Sequence, residues 1–299
     1  MRNIIEELRS YVLEQAMGLS SMTKDWPDRK EKINSYFKSK KRPRKLEIWG
    51  LGDHLSKIFK CVSGGGRTQS GVSRAGTVWE VLVLYYLNIC LLGTCAVVVK
   101  KDKHTPKSIV DALKITQHGS LIKSDLDLVV ISCPALKDVP SIGSEAKCLE
   151  KLNSLIEQNF GDVFVCNIQC KTNWKDNSQT PMLWNLLFEE ARGKRPLPQG
   201  LVIGSGLYEP SLLQGFAYSF VTVPTGQDVT AGDVQCYRTK NMTGGMFWGK
   251  PTKAHVSKSI KEFFVQHYGL APHHFPDPSQ IGVGYESKAK DLPAACFKL

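Results

Sequence analysis

Residues 162–172 read DVFVCNIQCKT, a run of β-branched, aromatic and sulfur-bearing side chains that ends in polar groups. Side chains alternate between the faces of a strand. Phe164, Cys166, Ile168 and Cys170 therefore share one face, and Val165, Asn167, Gln169 and Lys171 share the other. The first face reads as core. The second ends in groups that need water or partners, because an unpaired buried ammonium is expensive. Lys171 thus either leaves the sheet at its rim, as most lysines do, or faces an anion.

Two other segments answer this strand. Residues 124–132, SDLDLVVIS, place Asp125, Asp127, Val129 and Ile131 on one face and Leu126, Leu128 and Val130 on the other. Two carboxylates open an otherwise apolar strand. An Asp at a strand start is also an ordinary turn residue, and periodicity does not choose between Asp125 and Asp127. Upstream, Glu80 is the only charged residue between Ala75 and Val99, in a segment that reads as a helix apolar nearly all round. A buried carboxylate there requires a metal, an arginine or hydrogen-bond donors. Arg67 and Arg74 are candidates for a purely structural pair.

Working outward, the pattern predicts a helix over 73–92, a strand over 94–99 and a Lys-rich connector over 100–107. A short helix over 108–115, the strand 125–132, a helix over 144–159 and the strand 163–172 follow, then a helix over 180–192 and a strand over 200–203. Strands alternating with helices imply an α/β core, a mixed central β-sheet flanked by helices. One or two helices precede it. Beyond residue 218 the chain reads as β-rich up to a last helix over 256–268, with a Pro-containing tail. We divide the chain into an N-terminal helical and basic region (1–72), a core (73–203) and a C-terminal extension that completes the core (204–299).

Composition bounds the function. The 299 residues include 39 Lys or Arg against 28 Asp or Glu, a net charge of +11, with 42% apolar residues. Such a chain can bury a core, which excludes a disordered basic tail. The charge suits a polyanion, either nucleic acid or an acidic membrane surface. Nine scattered cysteines without a C-x-x-C pair argue against a zinc ribbon or a disulfide framework and for a reducing, cytoplasmic setting. The N-terminus carries Glu6, Glu7 and Glu14 in an amphipathic segment, unlike a signal peptide. Residues 81–99 lack charge and approach the length of a membrane span. Asn88 and Gly93 favour a buried helix followed by a strand. The glycine-rich stretch 61–74 lacks the Gly-Lys-Ser/Thr that a phosphate-binding loop requires. The basic run 38–45 reads as a solvated loop, a phosphate-contacting arm or a nuclear-import signal.

The order of Glu80 in a helix, Asp127 opening the strand DLVVI, and Gln169-Cys170-Lys171 closing a second strand resembles the PD-(D/E)XK nuclease core of type II restriction endonucleases. Gln before the lysine is similar to the Mrr-type branch, which cleaves modified DNA. The resemblance covers roughly residues 73–203 and favours Asp127 over Asp125. It implies a sequence-specific endodeoxyribonuclease that hydrolyses phosphodiesters with Mg2+. Asp127, the backbone carbonyl of Cys170, and Gln169 or Glu80 would hold the metal, and Lys171 would face the attacking water. Two departures stand out: no Pro precedes Asp127, and Gln169 replaces an acid, removing one negative charge from the metal site.

The partners it implies are double-stranded DNA and a second copy of the chain, with a heterodimer or a monomeric nicking enzyme as alternatives, and a separate methyltransferase in a prokaryotic or phage setting. Candidate DNA contacts are Lys40, Lys41, Arg42, Arg67, Arg74, Asn173, Lys175, Arg238, Lys240 and Asn241. The competing reading is a non-catalytic nucleic-acid-binding protein with a decayed nuclease fold.

Overall fold

The structure is a computed structural model that describes residues 2–37, 45–62, 69–100, 103–122, 127–172, 193, 197, 199–223, 247–248 and 256–257. Eight α-helices run through these residues: α1 (Ile4–Met17), α2 (Ser20–Thr23), α3 (Trp26–Phe37), α4 (Lys45–Gly50), α5 (Leu55–Lys60), α6 (Gln69–Cys90), α7 (Lys107–Ala112) and α8 (Glu145–Gln158). The strands are β1 (Ala96–Lys100), β2 (Ile115–Gln117), β3 (Ser120–Ile122), β4 (Leu128–Ser132), β5 (Phe164–Lys171), β6 (Leu201–Ile203), β7 (Gly215–Thr222), β8 (Phe247–Trp248) and β9 (Val256–Ser257). The class is α/β, as the sequence implies.

The main sheet has the order β1-β4-β5-β7-β8-β9. β4 is antiparallel to both β1 and β5, whereas β7 is parallel to β5, so the sheet is mixed. This direction pattern fixes where the site can be. β1, β5 and β7 all end at the side where β4 begins, so Lys100, Lys171 and Thr222 lie at one rim with the residue just ahead of Leu128, which is Asp127.

β4 and β5 are buried on both faces, from Leu128 to Ser132 and from Phe164 to Cys170. That corrects the expectation that only one face of β5 is core. Asn167 and Gln169 lie in the interior too, each 1% exposed. α6 is buried from Val78 to Cys90 apart from Glu80, which is why its sequence is apolar nearly all round. It ends before Gly93, which takes φ +80°. Among the described residues no helix is long and apolar enough to cross a membrane.

α1 packs against β1, α6 and α8, so Ile4, Leu8 and Val12 join the same hydrophobic core as the sheet. Arg9 of this helix is wholly buried. It donates to Glu6 Oε2 at 3.0 Å, to Asn88 O and Oδ1 at 3.1 and 2.9 Å, to Leu91 O at 3.0 Å and to Ala96 O at 2.8 Å. Asn88 in turn bonds both the N–H and the C=O of Val98. Together they bond the outer edge of β1, which has no further strand beside it among the described residues.

Some elements depart from expectation. β2 and β3 form a hairpin that the sequence pattern does not signal, closed at His118 (φ +47°) and Gly119 (φ +78°). Two consecutive positive φ values make the type I′ turn that suits a two-residue hairpin. β6 pairs with β2 in a separate three-stranded sheet, outside the main one. Val256–Ser257 is a short strand where a helix was expected to begin. The expected helix over 180–192 lies outside the described residues.

Candidate functional site: a polar rim around Cys170

The ladder between β4 and β5 places Leu128 opposite Ile168, so one step further Asp127 stands against Gln169. Asp127 turns its carboxylate back onto β5, where Oδ2 accepts the Cys170 N–H at 2.7 Å. The side chain thus takes the place of a ladder carbonyl just where β4 has yet to start. Gln169 and Lys171 lie on the face they share, through the β5–β7 register, with Asn167, Tyr218 and Thr222. The Tyr218 hydroxyl donates to Gln169 Oε1 at 2.6 Å. Among the described residues Gln169 Nε2 is buried with no hydrogen-bond partner, and so are both amide atoms of Asn167.

Glu80 reaches the same rim from α6. Its Oε2 pairs with Lys100 Nζ at 3.0 Å, with the two side chains 20% and 33% exposed. Lys100 closes β1 and is the partner of Glu80; Arg74 instead pairs with Asp25 Oδ2 at 2.8 Å. Cys170 sits among these groups. Burial above all, then the negative charges of Asp127 and Glu80, push its thiol well above the ordinary range, against an opposite pull from Lys100 and Lys171. The thiol is therefore protonated and inert. Burial and the charge of Asp127 likewise hold the Tyr218 phenol well above its usual range, so it remains a donor.

The fold brings together Glu80, Asp127, Gln169, Cys170 and Lys171, which the sequence placed on three separate elements. It adds Lys100 and Tyr218. The sequence shows Lys100 closing a strand but not that it meets Glu80; Tyr218 depends on the register of β7 against β5, for which the sequence offers no signal. Lys40, Lys41, Arg42, Arg67, Asn173, Lys175, Arg238, Lys240 and Asn241 lie outside the described residues, as does Asp125.

Magnesium takes hard oxygen ligands, and the donors at this rim fit it in kind: the carboxylates of Asp127 and Glu80 and the amide oxygen of Gln169. Among the described residues nothing partners Nε2, so one end of this amide is left open beside the carboxylate of Asp127. Among the described residues no group of three or more His, Cys, Asp or Glu side chains is arranged to hold a metal.

No protein-family model matches the chain, and no curated protein matches it.

Proposed function

We propose that the protein is a metal-dependent DNA endonuclease of the PD-(D/E)XK type. The observation that carries this reading is the convergence of Glu80, Asp127, Gln169 and Lys171 at one end of a mixed sheet, around Cys170. Crevices outside the carboxyl ends of strands are where open α/β sheets bind ligands. The net charge of +11 suits a polyphosphate partner and predicts binding that weakens steeply with salt.

In the reaction, water adds at phosphorus as one ester P–O bond breaks; one proton leaves the attacking water and one reaches the departing oxygen. A bound Mg2+ supplies Lewis-acid neutralisation of the phosphate and a water of lowered pKa. Asp127 and Gln169 would hold such an ion. Lys171, two residues beyond Gln169 on the same face, donates to the hydroxide and to the charge that develops on the phosphoryl oxygens. Lys100 neutralises Glu80 and keeps the net charge of the rim from repelling the DNA backbone. Cutting both strands calls for two such rims, hence a homodimer, with a separate methyltransferase protecting or marking the host DNA and a cytoplasmic location.

The second reading, a nucleic-acid-binding protein that has lost catalysis, is favoured by the same substitution of Gln169 and by the engagement of its oxygen with Tyr218. Supercoiled plasmid, unmodified and methylated, incubated with the protein and Mg2+ separates the two. Asp127→Asn keeps an acceptor for the Cys170 N–H while removing the charge, and Lys171→Ala removes the ammonium. Each should cut at least about 10²-fold more slowly, the usual cost of one transition-state donor. A protein that binds both plasmids and cuts neither is the non-catalytic one.

A further inference from the structure

The Gln169 amide is held at one end only. Its side chain is 1% exposed, its oxygen accepts the Tyr218 hydroxyl at 2.6 Å and its nitrogen has no partner. An unsatisfied buried amide is costly, and native interiors hold few of them. Tyr218 belongs to β7, on the far side of β5 from β4 and Asp127, so the amide oxygen is engaged away from the carboxylate.

A phenol both donates and accepts. Turning the amide end for end would bring Nε2 onto the Tyr218 oxygen and put Oε1 where the orphaned nitrogen now stands. Without a cation the turn merely exchanges one orphan for another. With a divalent cation on Asp127, both ends of the amide would be satisfied at once, and the Tyr218 hydroxyl proton would turn away from Gln169. Glutamate at this position would accept from Tyr218 in either orientation, so the two-position behaviour belongs to glutamine.

Resting on the nuclease reading, we infer that Tyr218 is a positioning residue whose hydroxyl accepts the Gln169 N–H when metal binds, allowing a neutral amide to serve as a metal ligand beside Asp127. Supporting groups of this kind typically contribute 10–100-fold to metal affinity.

The test is a double-mutant cycle read by direct Mn2+ binding to the full chain without DNA, from the loss of the free-ion resonance signal. Tyr218→Phe should weaken Mn2+ binding about 10-fold or more and do so less than about twofold when Gln169 is already Met, because coupled residues are non-additive. Equal losses in both backgrounds, or none in either, overturn the inference while leaving the metal site standing. Should Tyr218→Phe not fold, Gln169→Glu in the otherwise unaltered chain reads the same point: tighter Mn2+ binding is expected of a carboxylate at a ligand position, and unchanged binding overturns its role as a ligand. A native chain that binds no Mn2+ at all removes the metal-dependent reading itself, and this inference with it.

Discussion

The two ends of the β1-β4-β5 ladder bury polar groups in opposite ways. At the end where β1 begins, all three nitrogens of the Arg9 guanidinium have partners. Toward the end where β5 finishes, Asn167 and Gln169 are equally buried, yet among the described residues three of their four amide atoms have no hydrogen-bond partner. A fully satisfied network holds elements together, whereas a partly satisfied one is a cost that persists only where something else completes it. The first end reads as structure and the second as site.

Removing the satisfied hub tests the first half most severely. Arg9→Ala leaves Glu6, Asn88 and the free edge of β1 without their donor, and breaking a buried charge pair in this way typically costs about 3–5 kcal/mol. Urea unfolding followed by circular dichroism measures it. A loss below about 1 kcal/mol would mean that the network is incidental to the fold.

The second half predicts the opposite sign. Asn167→Leu deletes two orphaned amide atoms from the interior of β5 and substitutes a side chain of similar size. Relief of an unsatisfied group should raise the unfolding free energy by about 1 kcal/mol. An Asn167→Leu chain that unfolds more easily than the parent shows that Asn167 is a packed structural residue, and the contrast between the two ends collapses.

What the sequence made legible follows from the same physics. β4, β5 and α6 were readable because period-two alternation and a long apolar run are local signals, and Glu80, Asp127 and Lys171 stood out as charges set in apolar surroundings. The partner of Glu80 was not readable, since Lys100 meets it through the fold of β1 against α6, while the sequence offered the nearer arginines. Tyr218 and Gln169 lie 49 residues apart and meet only through a parallel pairing register. The β2–β3 hairpin escaped because His118 adopts a positive φ that Asn or Gly would have announced. That both faces of β5 are covered was likewise invisible, as alternation reports composition and not what packs above it.

The cluster of Lys103, His104 and Glu145 lies between the two extremes, since it is satisfied but close to solvent. Glu145 Oε1 lies 2.6 Å from Lys103 Nζ and 2.9 Å from His104 Nε2, at the first turn of α8, where a negative charge also suits the helix dipole. Burial lowers the pKa of His104 below its ordinary 6.5, and the hydrogen bond it donates to Glu145 opposes that shift. The hydrogen bonds from Lys103 and His104 lower that of Glu145 below 4.5. For His104 the unfolded chain takes up a proton before the folded one does, so stability is complete above pH 6.5 and falls as the pH drops below it. For Glu145 the contribution is present above pH 4.5 and is lost on further acidification. Glu145→Gln should cost less than about 1 kcal/mol at pH 7, because the Lys103 end of the cluster is half exposed and screened. It should also remove the share of the decline below pH 4.5 that belongs to Glu145, while the decline below pH 6.5 persists and extends lower, since His104 has lost the group that favoured its charge. Unfolding free energies at pH 7, 5.5 and 4 for the two chains measure both slopes. If the parent is equally stable at pH 7 and 5.5, the imidazole takes its proton as readily folded as unfolded, and this cluster belongs with the solvated surface rather than with either buried end.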